Sequence, residues 1–170
     1  MDRLVDVKGY IADRGPTMDN RSYEKASAAA LLQERQESAR RLRQFPSFEK
    51  FSDADLNRLV EAAHRTSTSG PWPLIREQTP SDACYILLSG EAGVYVGHER
   101  IALVGAGEII GESALRRGKL RNATVTTTGR AEVLHIERDD LERLLTDITA
   151  LRETLDETVA RHVPEAATES

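Results

Sequence analysis

The chain has 170 residues, 39% hydrophobic and 30% charged, enough for one compact domain with extensions and a core of its own. A net charge of −5 excludes a globally basic coat for nucleic acid, and no stretch is long and apolar enough to span a bilayer. The one cysteine, Cys84, excludes an internal disulfide framework, and the first residues lack a signal-peptide core, so a cytoplasmic protein is expected.

Residues 1–22 are polar, broken by Gly15-Pro16, and read as a flexible N-terminal arm. From Tyr23 to Gln44 the alanine, glutamate and arginine content predicts a helix over 23–44. Its apolar face is thin, Ala28, Leu31, Leu32 and Leu42 with Phe45 at the exit, as in a helix that packs on a neighbouring domain or subunit. Phe45-Pro46 ends it, because proline removes a donor and restricts the residue before it. Ser52 to Asp55 reads as a capping-box variant leading into a helix with Leu56, Leu59, Val60 and Ala63 on one face.

From Ser67 to Ile136 the signal is strands and turns. Trp72 to Arg76 is short and apolar, and Ala83 to Leu88 is a β run closed by Ser89-Gly90. Ala92–Val96 and Glu99–Val104 read as a hairpin across Gly97-His98, and Ala123–Thr128 and Ala131–Ile136 as another across Gly129-Arg130. Short strands at this spacing predict an all-β sandwich or barrel. After Arg138 the chain is helical again, with Leu141, Leu144, Ile148, Leu151 and Leu155 stepping by three and four. The first half of that seam suits packing on the β layers. The second half suits a homodimer through the Leu144–Leu155 helix, and Thr146 to Thr149 is a candidate break. Pro164 ends the helix, leaving 164–170 as a tail.

The chemistry concentrates between Gly107 and Val125. Ile109-Ile110 opens as a strand and turns at Gly111, and Glu112 follows at once with the short Ser113-Ala114-Leu115 segment. Gly118 breaks that segment, and Arg121-Asn122-Ala123 re-enters an extended run. Backbone N–H groups at the start of a helical turn have no partners within it and can point at an anion. Gly111 permits close approach, and Arg121 offers a planar fork of donors to a phosphate. Glu112 is out of place beside an anion unless it accepts from an uncharged group such as a sugar hydroxyl. The combination points to a nucleotide. The bland alternative is a turn glycine in a solvated basic loop of Arg116, Arg117, Lys119 and Arg121.

Ile110-Gly-Glu-Ser-Ala-Leu115 followed by Leu120-Arg-Asn-Ala-Thr-Val125 resembles, without a gap, the phosphate-binding cassette of the cyclic nucleotide-binding domain family. The runs Phe48 to Leu56 and Tyr85 to Glu91 are similar to that family's helix before the strands and to one of its strands. The resemblance implies a double-stranded β-helix, a jelly-roll-like β-roll, mainly β with N- and C-terminal helices. It covers 45–163, with the roll at about 67–137 and C-terminal helices at about 138–163. It implies that Glu112 takes the ribose 2′-hydroxyl and Arg121 the cyclic phosphate, with amides around Ser113 and Ala114 closing a site that Ile110, Gly111, Asn122 and Ala123 complete. Ile110, Ser113, Leu120 and Asn122 depart from the family pattern, and Asn122 occupies the position tied to base preference. Gln78 stands where the family carries a turn glycine, so a different turn geometry is expected there.

On that reading the protein is a free-standing regulatory module that binds cyclic AMP, or cyclic GMP, and signals to an unidentified protein partner through its N- or C-terminal helices. No helix-turn-helix follows the last helix, so DNA reading by that device is not expected. The rival is an interaction or scaffold module that kept the fold and takes no nucleotide. No enzymatic activity is expected: His64, His98, His135 and His162 lack ligand-spaced partners, and no nucleophile elbow or Walker loop occurs.

Overall fold

The computed structural model describes residues 20–157, the side chains of residues 20–24, 113, 114 and 116 excepted. Most of the expected arm, His162, Pro164 and the tail lie outside the described residues. Two compact units divide the chain, Met1–Glu37 and Ser38–Ser170. Helix α1, Asn20–Arg43, begins earlier than the expected Tyr23. In the first unit Leu31 and Leu32 are exposed, 45% and 56%.

The second unit opens on the end of α1, where Leu42 is fully buried, and continues through a 3-10 turn at Pro46–Phe48 into α2, Asp53–Ala62. The capping box is formed: Ser52 Oγ accepts from the Asp55 N–H at 3.0 Å, and an Asp55 carboxylate oxygen accepts from the Ser52 N–H at 3.2 Å. Eight strands follow: β1 His64–Thr68, β2 Pro73–Ile75, β3 Ala83–Ser89, β4 Glu91–Val96, β5 Glu99–Gly105, β6 Ile109–Ile110, β7 Thr124–Thr127 and β8 Ala131–Glu137. Helix α3, Glu112–Arg117, interrupts them between β6 and β7, and α4, Arg138–Asp147, follows β8. Ile148 breaks the helix inside the anticipated interval, and α5 resumes at 149–157.

The strands form two antiparallel four-stranded sheets, ordered β1-β8-β3-β6 and β2-β7-β4-β5, the β-roll that the sequence implied. The hairpin across Gly97-His98 is present as β4 and β5. The one expected across Gly129-Arg130 is not. Strand β7 pairs with β2 and β4 in one sheet, whereas β8 pairs with β1 and β3 in the other, so the chain crosses between sheets there. Strand β1 starts at His64, ahead of the expected start of the roll, and pairs in register with β8 from His64↔His135 to Thr68↔Ala131.

Both faces of β3 are covered, which explains its nearly continuous apolar run. On the outer face Cys84, Ile86 and Leu88 join Leu134 and Ile136 against Phe51 and the helical residues Leu42, Phe48, Leu56, Leu59, Leu141 and Leu144. On the inner face Leu87 and Val133 meet Ile75, Ala92, Ile110 and Val125. Burial pushes the Cys84 thiol up to about 12, so it behaves as a small core hydrophobe. Leu144, Ile148, Leu151 and Leu155 are at most 5% exposed and belong to the chain's own core. The apolar face of the seam through which a homodimer is expected is thus covered within one copy.

A carboxylate fastens the end of α1 to the roll. Glu132 on β8 accepts from Arg41 (3.0 Å), Arg65 (2.5 Å) and Ser89 Oγ (3.2 Å), while Arg41 also reaches the Leu88 carbonyl at 3.2 Å. These donors hold the Glu132 carboxyl at about 2, below its ordinary 4.5.

Candidate nucleotide-binding site

Three glycines shape the segment between β5 and β7. Gly107 (φ +91°), Gly111 (φ +82°) and Gly118 (φ +65°) all take the left-handed backbone that side-chain-bearing residues avoid. Gly111 is needed twice over. A Cβ there would lie 2.7 Å from Arg121 Nη1 and 2.6 Å from Ile75 Cδ1, so the missing side chain is the space that the guanidinium occupies.

Arg121 points into the protein and is 4% exposed. Its Nη1 donates to the Gly111 carbonyl at 2.6 Å and its Nη2 to the Ala83 carbonyl. Its main chain is clipped to the turn before β3: the Gln78 N–H donates to the Arg121 carbonyl (2.8 Å), and the Arg121 N–H to the Thr79 carbonyl (2.9 Å). Among the described residues no carboxylate lies within ion-pair distance of Arg121. Burial draws its pKa down, against the opposing pull of Tyr85, Asp82 and Cys84, yet arginine remains charged in proteins. Two of a guanidinium's five N–H donors are committed, both to neutral carbonyls, and among the described residues no carboxylate is paired with the charge.

Glu112 opens α3 and is 5% exposed. It makes no ion pair with Arg121, although the Arg121 fork ends on the carbonyl of the preceding residue. The two side chains are both buried, and the Arg121 fork reaches the backbone immediately before Glu112. That arrangement suits a ligand with an anionic group beside a hydroxyl. Ile110 is 6% exposed and packs inside the roll, Ala123 is half-buried and Asn122 is exposed. Ser113 and Ala114 contribute backbone to the first turn of α3; their side chains lie outside the described residues.

Sequence reasoning missed several neighbours. Ala83 supplies a carbonyl, Ile75 a wall, and Gln78-Thr79 the clip on the Arg121 main chain. Gln78 corrects an expectation: it adopts φ +66°, the same left-handed backbone a glycine would take. The turn keeps its geometry at the cost of roughly 1 kcal/mol, which the two main-chain bonds at Arg121 offset. The only signal in the sequence was the position itself.

Elsewhere in the roll, an open pocket of about 600 Å³ is lined by residues including Thr66, Thr68, Trp72, Leu74, Tyr85 and His135. No carboxylate, lysine or arginine is among the described residues that line it. His64 and His135 are neighbours across β1 and β8, with ring centroids 6.2 Å apart, a proximity the sequence did not show. No group of three or more potential metal ligands occurs among the described residues, and no described helix is long and apolar enough to cross a membrane.

The family model for the cyclic nucleotide-binding domain matches residues 73–147. A cGMP-dependent protein kinase of Toxoplasma gondii is 32% identical over 98 residues, covering 58% of this chain and 10% of the kinase. Among solved structures, the regulatory domain of Toxoplasma gondii PKA with cAMP aligns at 29% identity and a TM-score of 0.56, covering 65% of this chain and 44% of that one. The regulatory subunit of a cAMP-independent protein kinase A from Trypanosoma brucei aligns at 19% identity and a TM-score of 0.68, covering 77% and 47%, a likeness of fold. The chain spans between 10% and 27% of the length of the curated relatives it matches.

Proposed function

Residues 73–147 belong to the cyclic nucleotide-binding domain family, and from that premise we propose that this protein is a regulatory module that binds a cyclic nucleotide at Arg121 and Glu112. The observation that carries the reading is a buried guanidinium that, among the described residues, makes no ion pair and donates to the carbonyl of a left-handed glycine, with a buried carboxylate next in sequence. The cyclic phosphate takes the free N–H donors of Arg121 and the amides that open α3, and supplies the charge that the carbonyls of Gly111 and Ala83 do not. Glu112 accepts from the ribose hydroxyl. Exposed Asn122 lies beside this position and offers both a donor and an acceptor to a base. Cyclic AMP is the leading ligand, as in the Toxoplasma gondii PKA regulatory domain with cAMP, and cyclic GMP is the alternative, since a cGMP-dependent protein kinase is among the relatives.

Titration calorimetry of the whole chain with cyclic AMP and cyclic GMP tests the proposal, beside Arg121→Lys and Glu112→Gln. Saturable uptake of one nucleotide is expected. Arg121→Lys cannot reproduce the fork and should lose on the order of 2–5 kcal/mol of binding, and Glu112→Gln, which keeps an acceptor, about 1–2 kcal/mol. Absence of uptake at millimolar nucleotide refutes it. A second reading then stands, an interaction module in which Arg121 only braces the roll; its favouring observation is that Arg121 already ties Gly111 to Ala83.

A further inference from the structure

We infer that the open pocket between β1 and β2 is a second ligand site, separate from Arg121, for an uncharged, flat heteroaromatic molecule. The two are edge strands of different sheets, and Ser69-Gly70-Pro71-Trp72 joins them. Thr66 pairs with Val133 and Thr68 with Ala131, so by the alternation of a strand Thr66, Thr68 and His135 share the inner face that Val133 lines. The inner face of a two-sheet roll is ordinarily filled by apolar side chains. Here Thr66 lies on that face and is nonetheless exposed, because β1 brings small hydroxyl-bearing groups to it. The space left is about 600 Å³, an ordinary size for a small-molecule site.

Trp72, Tyr85 and His135 bring aromatic rings to this space. The Tyr85 and His135 rings pack edge to face with centroids 5.2 Å apart. The main chain of Trp72 is clamped: its N–H donates to Thr127 Oγ1 at 2.8 Å, and its carbonyl accepts from the Thr127 N–H at 2.9 Å. Thr127 is 1% exposed, so the clamp is anchored inside the roll, and Pro71 and Pro73 restrict the backbone on either side. The indole itself, the chain's one tryptophan, is 60% exposed. A large ring left in water beside a cavity, on backbone held from the core, is set up to stack on an incoming ring at little ordering cost. The described lining carries no carboxylate, lysine or arginine, which suits an uncharged ligand. Hydroxyls of Thr66, Ser67 and Ser69 donate and accept, and burial raises the Tyr85 pKa further, so its phenol stays a donor. Ring nitrogens and carbonyls match that set; an aliphatic chain would leave it unused.

The inference does not rest on the nucleotide reading, and the test keeps the two apart. Trp72 fluorescence of the whole chain is titrated at neutral pH with benzimidazole, quinoxaline and caffeine, and with 2-naphthoate as a flat anion. Amide NMR shifts locate the uptake. At least one neutral compound should saturate with a Kd below about 1 mM, with 2-naphthoate at least about tenfold weaker. The shifts should centre on residues 66–74, Tyr85 and His135, and saturating cyclic AMP or cyclic GMP should not displace the compound. Trp72→Ala removes the stacking ring, and Thr66→Phe fills the space from an exposed position. Followed by NMR, each should weaken uptake at least about tenfold, and either carries the test if the other does not fold. The site is overturned if no neutral compound saturates below about 1 mM, if the shifts gather at Gly111 and Arg121, if cyclic nucleotide competes, or if the folded variants bind like wild type. Equal uptake of 2-naphthoate overturns the chemical class.

Discussion

Replacing Gly111 by alanine adds a single methyl group at the point where backbone geometry and the guanidinium meet. At φ +82° an L residue costs about 1–2 kcal/mol relative to its preferred conformations. The added Cβ would also lie 2.7 Å from Arg121 Nη1, closer than real contacts allow. Nη1 is the end of a long side chain, but it is held by the Gly111 carbonyl at 2.6 Å and, through the same plane, by Ala83. Moving it sacrifices a hydrogen bond from a charged donor, about 1.5–3 kcal/mol. The sum is about 3–5 kcal/mol, a large part of a typical domain's 5–15 kcal/mol. Thermal unfolding should fall by roughly 10–20 °C for a domain of this size. Gly129→Ala is the control, since nothing lies within 4 Å of its added Cβ and its φ is not in the left-handed region. It should move stability by no more than about 0.5 kcal/mol. Should Gly111→Ala unfold within about 1 kcal/mol of wild type, the space beside Arg121 is not the constraint described here.

Two further outcomes follow from single residues. Gln78→Gly should stabilise the fold by up to about 0.6 kcal/mol, the relief of left-handed strain less the extra freedom of an unfolded glycine, and Gln78→Val should destabilise it; urea denaturation that reverses the order rejects the strain argument. Glu132 has a folded pKa of about 2, below its ordinary 4.5, so its contribution is fully present above pH 4.5 and is lost as pH falls through 2. For a carboxylate whose side chain is 30% exposed, solvent screening leaves about 1–2 kcal/mol of this. Glu132→Gln should be less stable than wild type at pH 7, and the gap should close between pH 4.5 and 2. A gap constant across that range rejects the assignment.

The parts of the fold legible in the sequence are those fixed by local chemistry. Ser52 and Asp55 satisfy each other's N–H groups three residues apart, so the capping box needed no knowledge of the tertiary structure. The Leu141-to-Leu155 stripe announced a buried face in the same way, but not what would cover it; Leu42 and Phe48, about a hundred residues earlier, supply that cover. The hairpin misread at Gly129-Arg130 shows the limit. Its turn residues and flanking alternation satisfy a hairpin and a crossing between sheets equally. The outcome depends on Val125 pairing with Val94 while Leu134 pairs with Ile86. Strand β1 was hidden because His64-Arg65-Thr66-Ser67-Thr68 has no apolar face to reveal it; its register with β8 is reinforced by Arg65 binding Glu132. At the candidate site Gly111, Glu112 and Arg121 were readable from their spacing, whereas the carbonyls of Gly111 and Ala83 could not be, since every residue has one.

Those carbonyls decide how strongly a ligand can be held. A phosphate arriving at Arg121 does not meet a bare cation; it competes with, or adds to, two neutral acceptors that already take part of the guanidinium's hydrogen-bonding capacity. The gain on binding is therefore the difference between charge-assisted bonds to an anion and charge–dipole bonds to carbonyls, less than the whole strength of the fork. The same competition makes binding mechanically consequential. A donor withdrawn from Ala83 leaves a buried carbonyl to be satisfied elsewhere. An arginine with an exposed resting position would capture phosphate more tightly and move nothing. On the proposed function, holding Arg121 on the protein's own backbone would exchange some affinity for a change of structure, the property a sensor requires.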